Sequence, residues 1–131
     1  MPLPQKILTR KDEITARYLE ILEEHMQDIL AGKTTQSYHI KDFAARLFIH
    51  PTHFSNTIKL TTGKSPCYFM EERLMAEARR MLRETPMAIA EISYRLTFDD
   101  PTNFTKFFKR FEGKTPRQYR QQFIESEVVT I

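Results

Sequence analysis

This sequence predicts an all-α fold of seven helices, arranged as two helix-turn-helix subdomains joined by a long connecting helix. Three observations carry that expectation. The 131 residues include only three glycines and no tryptophan, while the abundant Lys, Arg, Glu, Leu and Met favour helix over sheet. Apolar side chains recur three and four residues apart along most of the chain, the period of an amphipathic helix. Residues 51–66, PTHFSNTIKLTTGKSP, return fifty positions later as PTNFTKFFKRFEGKTP, with seven of the sixteen positions identical.

The elements follow in order. Residues 1–10 read as linker. Residues 11–31 place Ile14, Tyr18, Ile21, Leu22, His25, Ile29 and Leu30 on one face, and Gly32 stops the helix. After a polar loop, IKDFAARLF forms a short helix burying Ile40, Phe43, Ala44 and Leu47. Pro51 then opens the next helix, at a position where its missing N–H costs nothing. Phe54 and Ile58 face inward, and Gly63 ends the helix in the left-handed conformation that glycine adopts cheaply. The connecting helix covers about 66–84, with Phe69, Met70, Leu74, Ala78, Met81 and Leu82 inside.

The pattern then restarts. MAIAEISYRL buries Ile89, Ile92, Ser93 and Leu96. Asp100-Pro101 is a good cap and first-position pair. PTNFTKFFKRF turns Phe104, Phe108 and Phe111 inward, and Thr115-Pro116 opens a closing helix with Tyr119 and Phe123. The tail SEVVTI has no clear period. The domain reading is a linker at 1–10, a first subdomain at 11–84, a second at 85–125 and a tail at 126–131.

Composition narrows the function classes. The single cysteine, Cys67, forms no internal disulfide, which suits a reducing cytosol. No apolar run approaches the ~20 residues of a membrane span. The net charge of +3 is modest, but residues 1–50 and 51–100 each balance seven basic against seven acidic side chains. The excess lies in 101–121, where Lys106, Lys109, Arg110, Lys114, Arg117 and Arg120 face only Glu112. A one-sided cluster beside a duplicated helical motif favours a polyanion partner.

Enzymatic patterns are missing. There is no Gly-rich phosphate loop, no G-x-S-x-G and no H-E-x-x-H. The neighbouring carboxylates Glu23-Glu24 and Glu71-Glu72 diverge by about a hundred degrees on a helix, so neither forms an acid/base pair. His50 and His53 lack a third metal ligand nearby, so no metal or other cofactor is expected. Cys67 has no base or partner thiol and reads as a buried or half-buried packing residue.

The second helix of each pair carries short hydrogen-bonding groups beside its apolar anchors. These are Thr52, His53, Ser55, Asn56 and Lys59 in the first copy, and Thr102, Asn103, Thr105, Lys106 and Lys109 in the second. Such groups at a helix's leading end suit base edges in a major groove, which admits one helix. A connecting helix of about nineteen residues spans roughly 28 Å, comparable to the ~34 Å of one DNA turn. Two reading helices on one chain would then meet successive major grooves. The alternative is a basic helical module that binds a protein partner, with the repeat as scaffold.

The stretches FAARLFIHPTHFSNTIKLTTGKSPCYFMEERLMAEARRMLRET and EISYRLTFDDPTNFTKFFKRFEGKTPRQYR also resemble a known family. From about Ile40 to Arg120 the chain is similar to the DNA-binding domain of AraC/XylS-type transcriptional regulators. The resemblance implies homeodomain-like three-helix units and a cytoplasmic, nucleoid-associated activator that works on double-stranded DNA with RNA polymerase. It implies that Thr52, Ser55 and Asn56, then Pro101, Thr102, Thr105 and Lys106, meet bases. Lys59, Lys64, Lys109, Arg110 and Lys114 would meet phosphates. The domain itself is expected to be monomeric, with dimerisation left to a separate N-terminal domain. The family commonly has a hydroxyl cap at the place of His50, Ser at that of Ala88 and Gly at that of Thr97. A weak cap at His50 and a strained turn at Thr97 are therefore expected.

Overall fold

The structure, a computed structural model, describes the backbone of residues 9–130 and the side chains of residues 9–124. Most of the expected linker lies outside the described residues. Among those described there are seven α-helices and no strand: α1 (Arg10–Leu30), α2 (Ile40–Arg46), α3 (Pro51–Thr62), α4 (Pro66–Glu84), α5 (Ile89–Arg95), α6 (Pro101–Glu112) and α7 (Pro116–Thr130). They fall into two compact units, one ending at Glu71 and the other starting at Glu72. The divide thus falls inside α4, upstream of the residue 84 boundary expected from the pattern. Helix α7 continues to Thr130, so residues 126–130 of the expected tail extend the helix, and Ile131 lies outside the described residues.

In the first unit, Thr9 starts α1 with a reciprocal cap. Its Oγ1 accepts the Asp12 N–H at 3.1 Å, and the Asp12 carboxylate accepts the Thr9 N–H at 3.3 Å. The buried face of α1 includes the expected Ile14, Tyr18, Ile21, Leu22, His25 and Ile29. Tyr18 is the centre of this core. It meets Phe43 at 5.1 Å and Phe54 at 5.0 Å, both edge-on, as aromatic quadrupoles prefer. Its hydroxyl donates to the Pro66 carbonyl at 2.7 Å, which removes the cost of a buried phenol. Burial pushes the Tyr18 phenol well above its ordinary pKa. A Thr15–Thr61 hydroxyl contact at 2.6 Å ties the start of α1 to the end of α3.

In the second unit, Met75, Ala78, Met81 and Leu82 of α4 are buried, as are Ile92, Leu96, Phe104, Phe108 and Tyr119. Glu77 is also buried and accepts from Arg73 at 2.6 Å and Arg80 at 2.8 Å. Burial alone would raise its pKa, but the two guanidinium hydrogen bonds outweigh that and leave it below the ordinary carboxylate value. Two inward assignments do not hold. Phe111 is part exposed, packed beside Phe107 at 5.0 Å with Arg110 over its ring. Cys67 is exposed rather than packed, because the first turn of α4 turns that position outward.

Both helix-turn-helix turns use the same backbone device. In the first, the Phe48 N–H bonds the Ala45 carbonyl and the Ile49 N–H bonds the Ala44 carbonyl, both at 3.1 Å. In the second, Thr97 bonds Tyr94 and Phe98 bonds Ser93, both at 3.0 Å. Each is a Schellman motif, which satisfies the last helical carbonyls but needs a left-handed residue. Phe48 (φ 58°) and Thr97 (φ 71°) hold those positions without being glycine. Strain at Thr97 was expected, whereas the same strain at Phe48 was not.

Candidate nucleic-acid interface

The two repeated helices are built alike. Each has twelve residues, a capping side chain, proline at the first position and a left-handed glycine at the end, Gly63 at φ 77° and Gly113 at φ 81°. Each is nailed down by fully buried side chains, Phe54 and Ile58 in α3, Phe104 and Phe108 in α6. With those anchors inside, helical geometry turns the intervening polar positions outward.

On α3, Thr52, His53, Asn56 and Lys59 are exposed and Ser55 is half-buried. The cap at His50 forms: its Nδ1 accepts the Thr52 N–H at 3.1 Å. A side-chain cap is thus present at the place where the resemblance led to a weak one being expected. Lys64 lies just past the helix, its ammonium 5.1 Å from the Tyr68 ring centre, a contact that restricts its position. Thr57 is fully buried, so it is no part of the outward face.

On α6, Thr102, Asn103, Lys106, Lys109 and Arg110 are exposed, while Pro101 and Thr105 are half-buried. Asp100 accepts the Asn103 N–H at 2.8 Å, and the Asn103 side-chain amide donates to the other Asp100 oxygen at 3.3 Å. Asn103 is therefore bonded to the cap through both its backbone and its side chain. Sequence reasoning missed this, although an Asp cap followed three residues later by Asn carries the signal. Arg110 stacks over Phe111 at 4.8 Å and lies 5.9 Å from Phe107, which pre-orients its planar fork. Lys114 reaches the Gln122 side chain at 2.5 Å.

The charge cluster changes when partners are assigned. Arg120 donates to the carbonyls of Leu82 at 3.0 Å and Thr85 at 3.2 Å, so it caps the end of α4 and leaves the interface. Glu112, the lone acidic residue of the cluster, pairs with Arg79 at 2.8 Å. Lys59, Lys106 and Lys109 form no ion pair among the described residues. Lys106, Lys109 and Arg110 remain outward on α6, whereas α3 contributes only Lys59. Each helix start also directs a positive dipole end forward, with the Thr52 N–H taken by the His50 cap and the Asn103 N–H by the Asp100 carboxylate.

Among the described residues no group of three or more His, Cys, Asp and Glu could hold a metal ion. No helix among them is long and apolar enough to cross a membrane. The arrangement supplies donors, acceptors and cations on two helices, with no nucleophile, base pair or redox group.

Known proteins of the same build were found in three comparisons. The family model described as a helix-turn-helix domain matches residues 43–122. The uncharacterised HTH-type transcriptional regulator YisR of Bacillus subtilis is 30% identical over 116 residues, covering 88% of this chain and 38% of YisR. The HTH-type transcriptional activator RhaR of Yersinia pseudotuberculosis is 27% identical over 128 residues, covering 94% of this chain and 44% of RhaR. The chain thus spans less than half the length of these curated relatives. Among solved structures, the C-terminal domain of AraT, a response regulator from Geobacillus stearothermophilus, superposes with a TM-score of 0.74 at 26% identity, covering 87% of this chain and 88% of that one. The DNA-binding domain of AdpA, solved with a target DNA, shares the fold at a TM-score of 0.65 and 22% identity, covering 78% and 91%. With its duplicated capped helices and a family match over more than half its length, the chain belongs to the AraC-type helix-turn-helix family of transcriptional regulators.

Proposed function

We propose that this chain is a sequence-specific DNA-binding activator that lays α3 and α6 into successive major grooves of one duplex. The observation that carries the reading is the matched pair of helices, each anchored by fully buried side chains and each presenting short polar groups and cations outward. On α3, Thr52, His53, Ser55 and Asn56 read base edges. On α6, Pro101, Thr102, Thr105 and Lys106 do so, and Asn103 serves mainly to hold the start of the helix. Lys59, Lys64, Lys109, Arg110 and Lys114 meet phosphates. The chain binds as a monomer, because it carries both reading heads itself. Its activating contact is with RNA polymerase, and it works in the cytoplasm on the nucleoid.

The reading is tested by a salt titration of binding to a preferred duplex and to random DNA. Five phosphate contacts predict that log K falls with log salt at a slope of about −4.5. Base contacts predict a preferred duplex held at least ~10³-fold tighter than random DNA. No binding at low salt, or a slope near zero, rules the reading out in favour of a protein-binding scaffold.

A further inference from the structure

Past α6 the chain turns through Gly113 into α7, and this joint holds an open cleft of about 770 Å³. Its lining is Gly113, Lys114, Arg117, Gln118, Gln121 and Gln122, with two cations, three amides and no carboxylate. Glu112, the acid just before it, is taken by Arg79 at 2.8 Å. Gln118 is committed to the start of α7: its Oε1 accepts the Thr115 N–H at 2.9 Å, and the Thr115 Oγ1 accepts the Gln118 N–H at 3.1 Å. That reciprocal pair fixes the shape of the joint. Lys114 donates to Gln122 at 2.5 Å, a neutral partner that leaves its charge in place. Arg117 is exposed and forms no ion pair among the described residues. Gln121, also exposed, follows four residues later on the same helix face.

The repeat provides a contrast within the same chain. Fifty positions earlier Lys64 matches Lys114, but Cys67, Glu71 and Glu72 stand in place of Arg117, Gln121 and Gln122. The first joint thus carries two carboxylates that would meet a phosphate as like charges, whereas the second offers a guanidinium and two amides. Helix α6 has twelve residues and runs about 18 Å, longer than the ~12 Å width of a major groove. With its leading end among the bases, its trailing end at Gly113 stands at the sugar-phosphate wall.

We propose that Arg117, with the Gln121 amide beside it, grips a backbone phosphate of double-stranded DNA just outside the half-site read by α6, next to the phosphate met by Lys114. The planar guanidinium takes two phosphate oxygens at once, and the amide adds a neutral donor. The contact carries no sequence information, so it fixes the position of the duplex on α6. As a sixth phosphate contact it steepens the slope of log K against log salt from about −4.5 to about −5.4. This contact rests on the DNA-binding function proposed above.

The test uses the 131-residue protein and a duplex selected by it. Single uncharged methylphosphonate linkages are stepped through both flanks of the site, and affinity is read by gel shift across a salt series. One flanking linkage should weaken the parent protein several-fold and have no effect on Arg117→Gln. Arg117→Gln should also lose about 0.9 from the salt slope and weaken preferred and random duplexes by one common factor. Arg117→Lys keeps the charge and should keep the slope, and both variants should melt with the parent because the side chain is exposed. Gln121→Glu, which installs the carboxylate of the first copy, should weaken binding several-fold. The contact is overturned if the slope is unchanged in Arg117→Gln, if no linkage loses its effect in that variant, or if Gln121→Glu binds as tightly as the parent. In each of those cases DNA binding by the parent still stands, whereas a parent that binds no DNA at low salt overturns the proposed function itself.

Discussion

Phe48 offers a clean perturbation because its two energetic effects separate. Its backbone is left-handed at φ 58°, and 94% of its surface is exposed. An L-residue in that conformation costs about 1–2 kcal/mol. Replacement by glycine removes the cost and forfeits almost no burial. The offset is the freer unfolded chain of glycine, about 0.5–1 kcal/mol. Phe48→Gly should therefore stabilise the protein by about 0.5–1 kcal/mol, which for a chain of this size raises Tm by about 2–4 °C. Phe48→Ala keeps the left-handed strain and should leave Tm nearly unchanged. Thermal and urea unfolding followed by circular dichroism read both variants under one set of conditions. If Phe48→Gly lowers Tm while Phe48→Ala does not, the strain argument fails, because backbone conformation would then contribute nothing at this turn.

His25 should make stability fall in mild acid. It is buried, with Nε2 accepting the Tyr38 N–H at 3.0 Å and Nδ1 without a partner. Burial lowers its pKa from the ordinary 6.5; Asp28 pulls the other way and Arg46 adds to the lowering. As pH drops below 6.5, the unfolded chain takes the proton first. Stability is therefore lost at up to about 1.4 kcal/mol per unit, until the folded protein also protonates. His25→Gln should flatten that part of the curve in urea melts, and an unchanged slope would contradict the assignment. On DNA, Lys106→Ala and Arg110→Ala should weaken binding more than Asn56→Ala in a gel-shift series, since the basic excess lies in 101–121. Asn56→Ala should instead relax base preference in its own half-site by about 1–3 kcal/mol if the contact is bidentate. A larger affinity loss from Asn56→Ala would refute the charge argument.

Much of this protein was legible in the sequence because its signals are local. Proline starts, glycine stops and apolar residues at helical spacing placed the first six helices to within about two residues and the start of the seventh, whose end runs on to Thr130. The buried anchors Phe54, Ile58, Phe104 and Phe108 follow from the same period. What escaped depends on partners distant in sequence. Arg120 counted as interface charge until its bonds to the Leu82 and Thr85 carbonyls were seen. Phe111 sits at the edge of the α6 apolar arc, and its share of burial is decided by Arg110 and Phe107 rather than by periodicity. The strain at Phe48 was hidden for another reason. The two turns differ in length by one residue, so Phe48 corresponds to Thr97 only when helix ends are aligned, not when fifty is subtracted.

The central claim is that one chain carries two DNA-reading heads. Selection of bound sequences from a random duplex pool tests it most directly. The account predicts enrichment of two distinct half-sites about ten base pairs apart, one DNA turn, with the half-site read by α6 the more strongly bound. A single enriched half-site, or a pool that remains random, would contradict it.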